Sequence, residues 1–220
     1  MEYIKAISSL LFPTKNLCYL CKETKDHIDS YICSDCLNLL QIVHKEVDIH
    51  SSFINKAYYT LIYNRYIRDI VADYKFNKKS YLYKPLGELM LETIREKNIL
   101  GIDLIMYIPS HRRKEAQRGY NQAELLATYI GKQINIEVSH NNLVKLKYTR
   151  DQNKLNRFER LGNLYGSFKV KNREEIKAKR ILLIDDIITT GATMEECSKE
   201  LIKNEAKEVL GLALTSSKKL

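Results

Sequence analysis

A chain of 220 residues, 45% of them hydrophobic, carries enough apolar side chain for a sizeable core and fits one large domain, or one domain with a small appendage. Charged residues at 29%, eight glycines and three prolines exclude a disordered or low-complexity chain, and no apolar stretch approaches a bilayer span. The net charge of +9 is uneven: residues 1–50 hold five lysines against seven acids, whereas 145–180 hold twelve lysines or arginines against four acids. Such an excess suits a polyanion, nucleic acid or a phosphorylated small molecule, and equally a solvated lysine-rich surface.

"AISSLLF" (6–12) is too brief to cross a membrane, and only Lys5 precedes it. With no small-residue cleavage site after it, a cytoplasmic protein is expected, with this stretch packing as a helical turn. "CYLC" and "CSDC" follow, placing Cys18, Cys21, Cys33 and Cys36 in two pairs separated by eleven residues. Two Cys-x-x-Cys pairs converge naturally on one tetrahedral zinc ion, structural because all four positions are filled. Disulfides would need an oxidising compartment that nothing here indicates. His27 is surplus to such a site, and Cys197 suits a small buried role on a helix. Residues 1–50 therefore read as a four-cysteine zinc-binding module and 51–220 as the main domain.

In that domain "AYYTLIY" (57–63) predicts a strand, and Ile67, Ile70, Val71 and Tyr74 predict a helix. Leu86, Leu89, Met90 and Ile94 mark a second helix from about Tyr81 to Lys97. A buried strand then ends at Pro109, and Ala123, Leu126, Ala127 and Ile130 mark another helix. "RILLI" is a strand, "TMEECSKELIKNEA" a helix and "EVLGLAL" a strand. Buried strands alternating with amphipathic helices define an α/β fold, a mainly parallel sheet flanked by helices.

The most informative stretch is "ILLIDDIITTGAT" (181–193). Asp185 and Asp186 are expected at the carboxyl end of a central strand, where open α/β sheets bind ligands. Thr189, Thr190, Gly191, Ala192 and Thr193 would wrap the N-terminus of a helix starting near Thr193, whose free N–H groups and dipole suit a phosphate. Gly191 would supply an unusual backbone conformation and close approach of the anion. Two acids beside a bare phosphate would be badly placed, but a phosphorylated ribose satisfies both, its hydroxyls donating to the carboxylates. The Gly-x-x-x-x-Gly-Lys pattern and the three-glycine dinucleotide fingerprint are both absent, and an acid-terminated strand alone does not make an ATPase site.

The same stretch resembles the 5-phosphoribosyl-1-diphosphate (PRPP) motif of type I phosphoribosyltransferases. With the four cysteines, "DYKFNKK" (73–79), "IPSHRRKEAQRGYNQAELLA" (108–127) and "TRDQNKLNRFERLGNLYGSF" (149–168), the chain resembles the ComF family of competence-associated, phosphoribosyltransferase-like proteins. That resemblance implies that Asp185 and Asp186 contact the ribose and residues 189–193 the 5′-phosphate. Ser110, His111 and Arg112 would hold the diphosphate with Mg²⁺, and Arg150 and Gln152 would lie on a loop closing over the sugar. For Arg118, Asn121 and Gln122, ligand contact weighs equally with helix capping and salt bridging.

Were the protein an enzyme, Asp185 and Asp186 would offset charge on the reacting sugar while Arg112 and Arg150 steadied the leaving diphosphate. The acceptor is not legible. The resemblance also implies a role in natural transformation, handling internalised single-stranded DNA with a DNA-dependent ATPase partner. Tyr148, Phe158, Tyr165 and Phe168 would then be stacking groups along 145–180, or core residues. Two further readings stand beside it: a phosphoribosyltransferase of nucleotide metabolism without a DNA role, and a zinc-ribbon interaction protein on a degenerate α/β body.

Overall fold

Every apolar periodicity in the main domain becomes one element of a two-faced sheet. The computed structural model describes residues 17–25, 28, 31–147 and 164–217. In chain order, α1 (Ser34–Leu39) leads into β1 (Ile42–Glu46), β2 (Lys56–Ile62), α2 (Arg65–Phe76) and α3 (Tyr83–Glu96), the last entered through a 3-10 turn. Then come β3 (Leu104–Tyr107), α4 (Arg112–Arg118), α5 (Gln122–Ile134) and a short hairpin of β4 (Leu143–Lys145) and β5 (Phe168–Val170). Last are β6 (Arg180–Ile188), α6 (Ala192–Lys203) and β7 (Glu208–Ser216).

The sheet order is β1-β2-β7-β6-β3, parallel except for β1, which runs antiparallel to β2 along one edge. β1 belongs to this sheet although it lies within residues 1–50 of the sequence. Alternation along β6 explains its unbroken apolar run. Leu182 and Ile184 pack into the cluster formed with α2, α3 and α5, while Ile181 and Leu183 pack into the one formed with α6 and the hairpin. Cys18, Cys33 and Cys36 belong to the first cluster, so the cysteine segment rests on the same core as α3.

Local signals set the helix ends. Asn64 caps α2 by accepting from the Ile67 N–H at 2.9 Å, and Asn121 caps α5 by accepting from the Ala123 N–H at 3.0 Å. Pro109 ends the expected strand, and α4, absent from the sequence reading, follows it. His111 Nδ1 caps α4 at 3.2 Å, and Gly119 closes it at φ +85°.

Candidate functional site

β6 outruns one of its neighbours, and that opens the site. β3 stops at Tyr107, paired with Ile184, and the Ile108 N–H makes one further bond to the Ile184 carbonyl at 2.9 Å. β6 continues to Ile188, still paired with β7 at Ser216. Asp185 and Asp186 thus lie within the strand, three and two residues before its end, where β3 has turned away. The sequence placed them just past a shorter strand; the register with β7 carries the strand through them.

Both acids line a cavity of about 340 Å³ that also takes in Ser110, His111, Arg118, Thr189, Gly191 and Thr193. The strand end, the turn after β3 and the start of α6 therefore converge on one cavity. Thr190 and Ala192 stay behind this surface, the Thr190 Oγ1 accepting from the Ala192 N–H at 3.3 Å. Arg112 is exposed on α4 and outside the lining, whereas Lys114 on the same helix faces in.

Asn121 and Gln122 are buried behind the site. Asn121 Nδ2 donates to the Ile108 carbonyl at 3.1 Å, tying α5 to the turn that carries Ser110 and His111. Gln122 Oε1 accepts from Arg118 at 3.1 Å. Arg150 and Gln152, with Tyr148 and Phe158, lie outside the described residues. Phe168 is core, whereas Tyr165 is exposed, so stacking along this stretch does not extend to Phe168.

Gly191 sits at φ +86°, and a Cβ there would fall 2.8 Å from Ile49 Cγ2. The missing side chain thus serves the turn and the packing of Ile49, and the left-handed backbone is the unusual conformation expected there. The helix starts at Ala192, whose N–H donates to Thr190 Oγ1, and its N-cap Gly191 has no side chain with which to cap it.

Two site residues escaped the sequence reading. Lys75, in the last turn of α2, places Nζ 2.8 Å from Asp186 Oδ2, with both side chains largely buried. Lys145, the last residue of β4, lines the cavity from the opposite element, its ammonium 5.3 Å over the Phe168 ring. Burial pushes the Asp185 carboxyl up to about 8, the Asp186 charge adds to this, and Lys75 opposes it. Burial lowers Lys145, as does Lys114, against the pull of Cys197 and Asp185. His111 is held below its ordinary value by desolvation and by neighbouring Arg113, Lys145 and Lys114.

A second site is formed by the cysteines. The sulfurs of Cys18, Cys21, Cys33 and Cys36 all lie within 4.8 Å of one another, and Cys21 and Cys33 are 3.9 Å apart. Tetrahedral zinc with bonds of about 2.3 Å sets sulfurs roughly 3.8 Å apart, so this donor set fits one ion after small adjustments. None of the cysteines is in a disulfide. Burial opposes ionisation of Cys18, but N–H donation from Cys33, Cys21 and Leu20 outweighs it and brings the thiol to about 6, a thiolate ready to ligate. Cys197 is fully buried on α6, as expected of a core residue.

A parallel sheet carrying paired acids on a central strand, followed by a glycine turn into a helix, is the type I phosphoribosyltransferase-like architecture. Residues 122–219 accordingly match the phosphoribosyl transferase domain. The chain's similarity to curated competence proteins, the ComFC proteins among them, supports the resemblance to the ComF family. The chain is 30% identical to Competence protein F of Haemophilus influenzae over 64% of this chain and 63% of that protein, so it spans just under two thirds of that relative's length. To Competence protein ComFC of Streptococcus pneumoniae it is 29% identical, over 97% of this chain and 95% of the relative. For ComFC of Bacillus subtilis the figures are 28%, 94% and 87%. Among solved structures it is similar to a Staphylococcus aureus hypoxanthine phosphoribosyltransferase, with 14% identity, a TM-score of 0.41 and coverage of 61% and 64%.

Proposed function

We propose that the cavity binds PRPP with Mg²⁺ and that the protein serves natural competence, in the cytoplasm, through the handling of internalised single-stranded DNA. The observation carrying the ligand assignment is the convergence of Asp185 and Asp186 with the turn into α6 on one cavity. The N–H groups at the start of α6, with Thr189 and Thr193, receive the 5′-phosphate. The carboxylates accept from the ribose hydroxyls, and Ser110 and His111 stand at the diphosphate end. Mg²⁺ would neutralise the diphosphate; the carboxylates and diphosphate oxygens are the hard ligands it takes. Zinc on the four cysteines is structural.

The competence assignment is supported by the printed names of the relatives, two of which match nearly the whole chain. Single-stranded DNA and a DNA-dependent ATPase are the partners it implies. Among the described residues of the basic stretch, Arg173 and Lys177 pair with Glu205 and Arg180 with Glu208, leaving Lys147, Lys169 and Lys171 as exposed cations for a backbone. The alternative is a phosphoribosyltransferase with an acceptor of its own and no DNA role.

Calorimetric titration of Mg²⁺–PRPP into the wild type and into Asp185→Asn/Asp186→Asn tests the ligand assignment. Binding is expected in the first and lost in the second; no binding to a folded, zinc-loaded wild type removes the reading. Salt dependence separates the two roles, since binding to single-stranded DNA should weaken steeply with salt and binding in a compact sugar-phosphate site much less.

A further inference from the structure

We propose that Phe76, Lys78 and Arg118 form a platform for single-stranded nucleic acid beside the cavity of the paired acids, a base lying on the Phe76 ring and backbone phosphates against the two cations; this rests on the DNA-handling reading above and gives it a place on the surface. Two of the three residues belong to the "DYKFNKK" segment (73–79), of which the ion pair to Asp186 uses only Lys75. Phe76, the last residue of α2, is 67% exposed and lines that cavity. The Arg118 guanidinium lies 5.0 Å from the centre of its ring, and the residue still keeps most of its surface in solvent, enough for a second planar group. A single exposed ring is common on any protein surface. The turn beside it is not.

Asp73 accepts from Asn77 Nδ2 and from Lys79 Nζ, each at 2.7 Å, so one carboxylate ties down the residues on both sides of Lys78. Lys78 itself takes φ +54°, a left-handed conformation that residues with a side chain seldom adopt. Lys79 is neutralised by Asp73, whereas Lys78 is exposed and has no ion pair among the described residues. It lines a second cavity of about 340 Å³ with Ser80, Gln117, Arg118 and Gly119, and no acid is among the lining residues. Arg118 lines both cavities and so joins them, its hydrogen bond in the fold going to the neutral Gln122 amide at 3.1 Å. An open ring next to two uncancelled cations suits the alternating bases and phosphates of a strand. A duplex keeps its base faces stacked inside, so the ring selects a single strand. The other strongly exposed ring, Tyr165, lines neither cavity, and Lys199 beside it already faces Glu196 at 3.9 Å.

The test is fluorescence anisotropy of labelled oligothymidylate, about fifteen nucleotides long, with the full-length, zinc-loaded protein. Phe76→Leu keeps the apolar bulk but removes the aromatic face, and should weaken binding by on the order of tenfold. Phe76→Tyr restores a face and should bind within about threefold of wild type. An abasic strand of the same length offers phosphates without bases, so Phe76→Leu and wild type should bind it alike, as they should a duplex. The cations read out differently. Lys78→Gln and Arg118→Gln should each lower the slope of log affinity against log salt by about 0.7, the value for one phosphate contact on a single strand. Phe76→Leu should leave that slope unchanged.

Equal weakening of the intact and abasic strands in Phe76→Leu would overturn the stacking role, because a general loss of structure acts on both. An unchanged salt slope in both cation variants would overturn the phosphate contacts. If wild type binds the strand and only Lys169→Gln/Lys171→Gln weakens it, the platform is refuted and the DNA-handling reading stands on the basic stretch. If wild type binds no single strand, that reading fails and the platform fails with it.

Discussion

The ammonium of Lys75 lies 2.8 Å from Asp186 Oδ2, and the two side chains are only 18% and 10% exposed. An ion pair this enclosed is costly to break on one side, because the remaining charge keeps its desolvation without compensation. Here the carboxylate left behind would also face Asp185. Lys75→Met is therefore expected to destabilise the protein by about 3 kcal/mol. Adding Asp186→Asn should return most of that loss, since neither charge then remains. Urea unfolding of the single and double variants measures both. An unchanged midpoint in Lys75→Met would mean that the pair contributes nothing to stability.

Asp185 makes a prediction about protons. Its carboxyl is raised from an ordinary 3.8 to about 8, so the folded, ligand-free protein holds a proton that the unfolded chain has released. The contribution of this group to stability is complete below about pH 4 and is lost as the pH rises toward 8. A ligand whose hydroxyls need an ionised acceptor must expel that proton. Binding of Mg²⁺–PRPP at pH 7 is expected to release close to one proton and to tighten up to about pH 8. Binding heats measured in PIPES and in Tris, whose ionisation enthalpies differ, report the release directly. Proton uptake would mean that Asp185 stays protonated in the complex.

The sequence carried the acids and the turn into α6 because their pattern is local: an apolar strand, two carboxylates, a glycine and hydroxyl residues within thirteen positions. It did not carry Lys75 or Lys145. Lys75 looks like any polar neighbour of the α2 stripe ending at Tyr74, and only the packing of α2 over the end of β6 brings it to Asp186. Lys145 stands in a basic stretch where a solvated lysine is the default, and its burial depends on pairing with Phe168 far along the chain. The length of β6 was hidden for a similar reason. Acids usually end a buried strand, but β7 runs in register to Ser216 and keeps β6 extended to Ile188.

The cysteine site predicts how the chain responds to losing metal. Cys18, Cys33 and Cys36 pack in the same cluster as Leu61, Leu82 and Leu86, so the sulfur cage and the sheet share a core. Metal analysis of the purified protein should find about one zinc per chain. Cys36→Ser should abolish binding and lower the melting temperature of the main transition, because the whole cluster loosens. A variant that loses zinc with the main transition unmoved would show the cysteine segment to be energetically separate.

Gly191 joins the turn into α6 to the N-terminal part of the chain. Its φ of +86° is unfavourable for any residue with a Cβ, and that atom would also fall 2.8 Å from Ile49. These two penalties can be separated. Gly191→Ala should cost about 1–3 kcal/mol, combining backbone strain with the overlap. Ile49→Ala alone costs the packing of a buried side chain, but in the Gly191→Ala background it also removes the overlap. The double variant should therefore be more stable than the sum of the two single losses predicts, with the backbone strain still present. Binding of ribose 5-phosphate follows the turn more closely than it follows global stability. It should be weakened in Gly191→Ala, remain weak in the double variant, and be nearly normal in Ile49→Ala. Recovery of binding in the double variant would assign the role of Gly191 to packing against Ile49 alone and remove the left-handed backbone from the account of the turn.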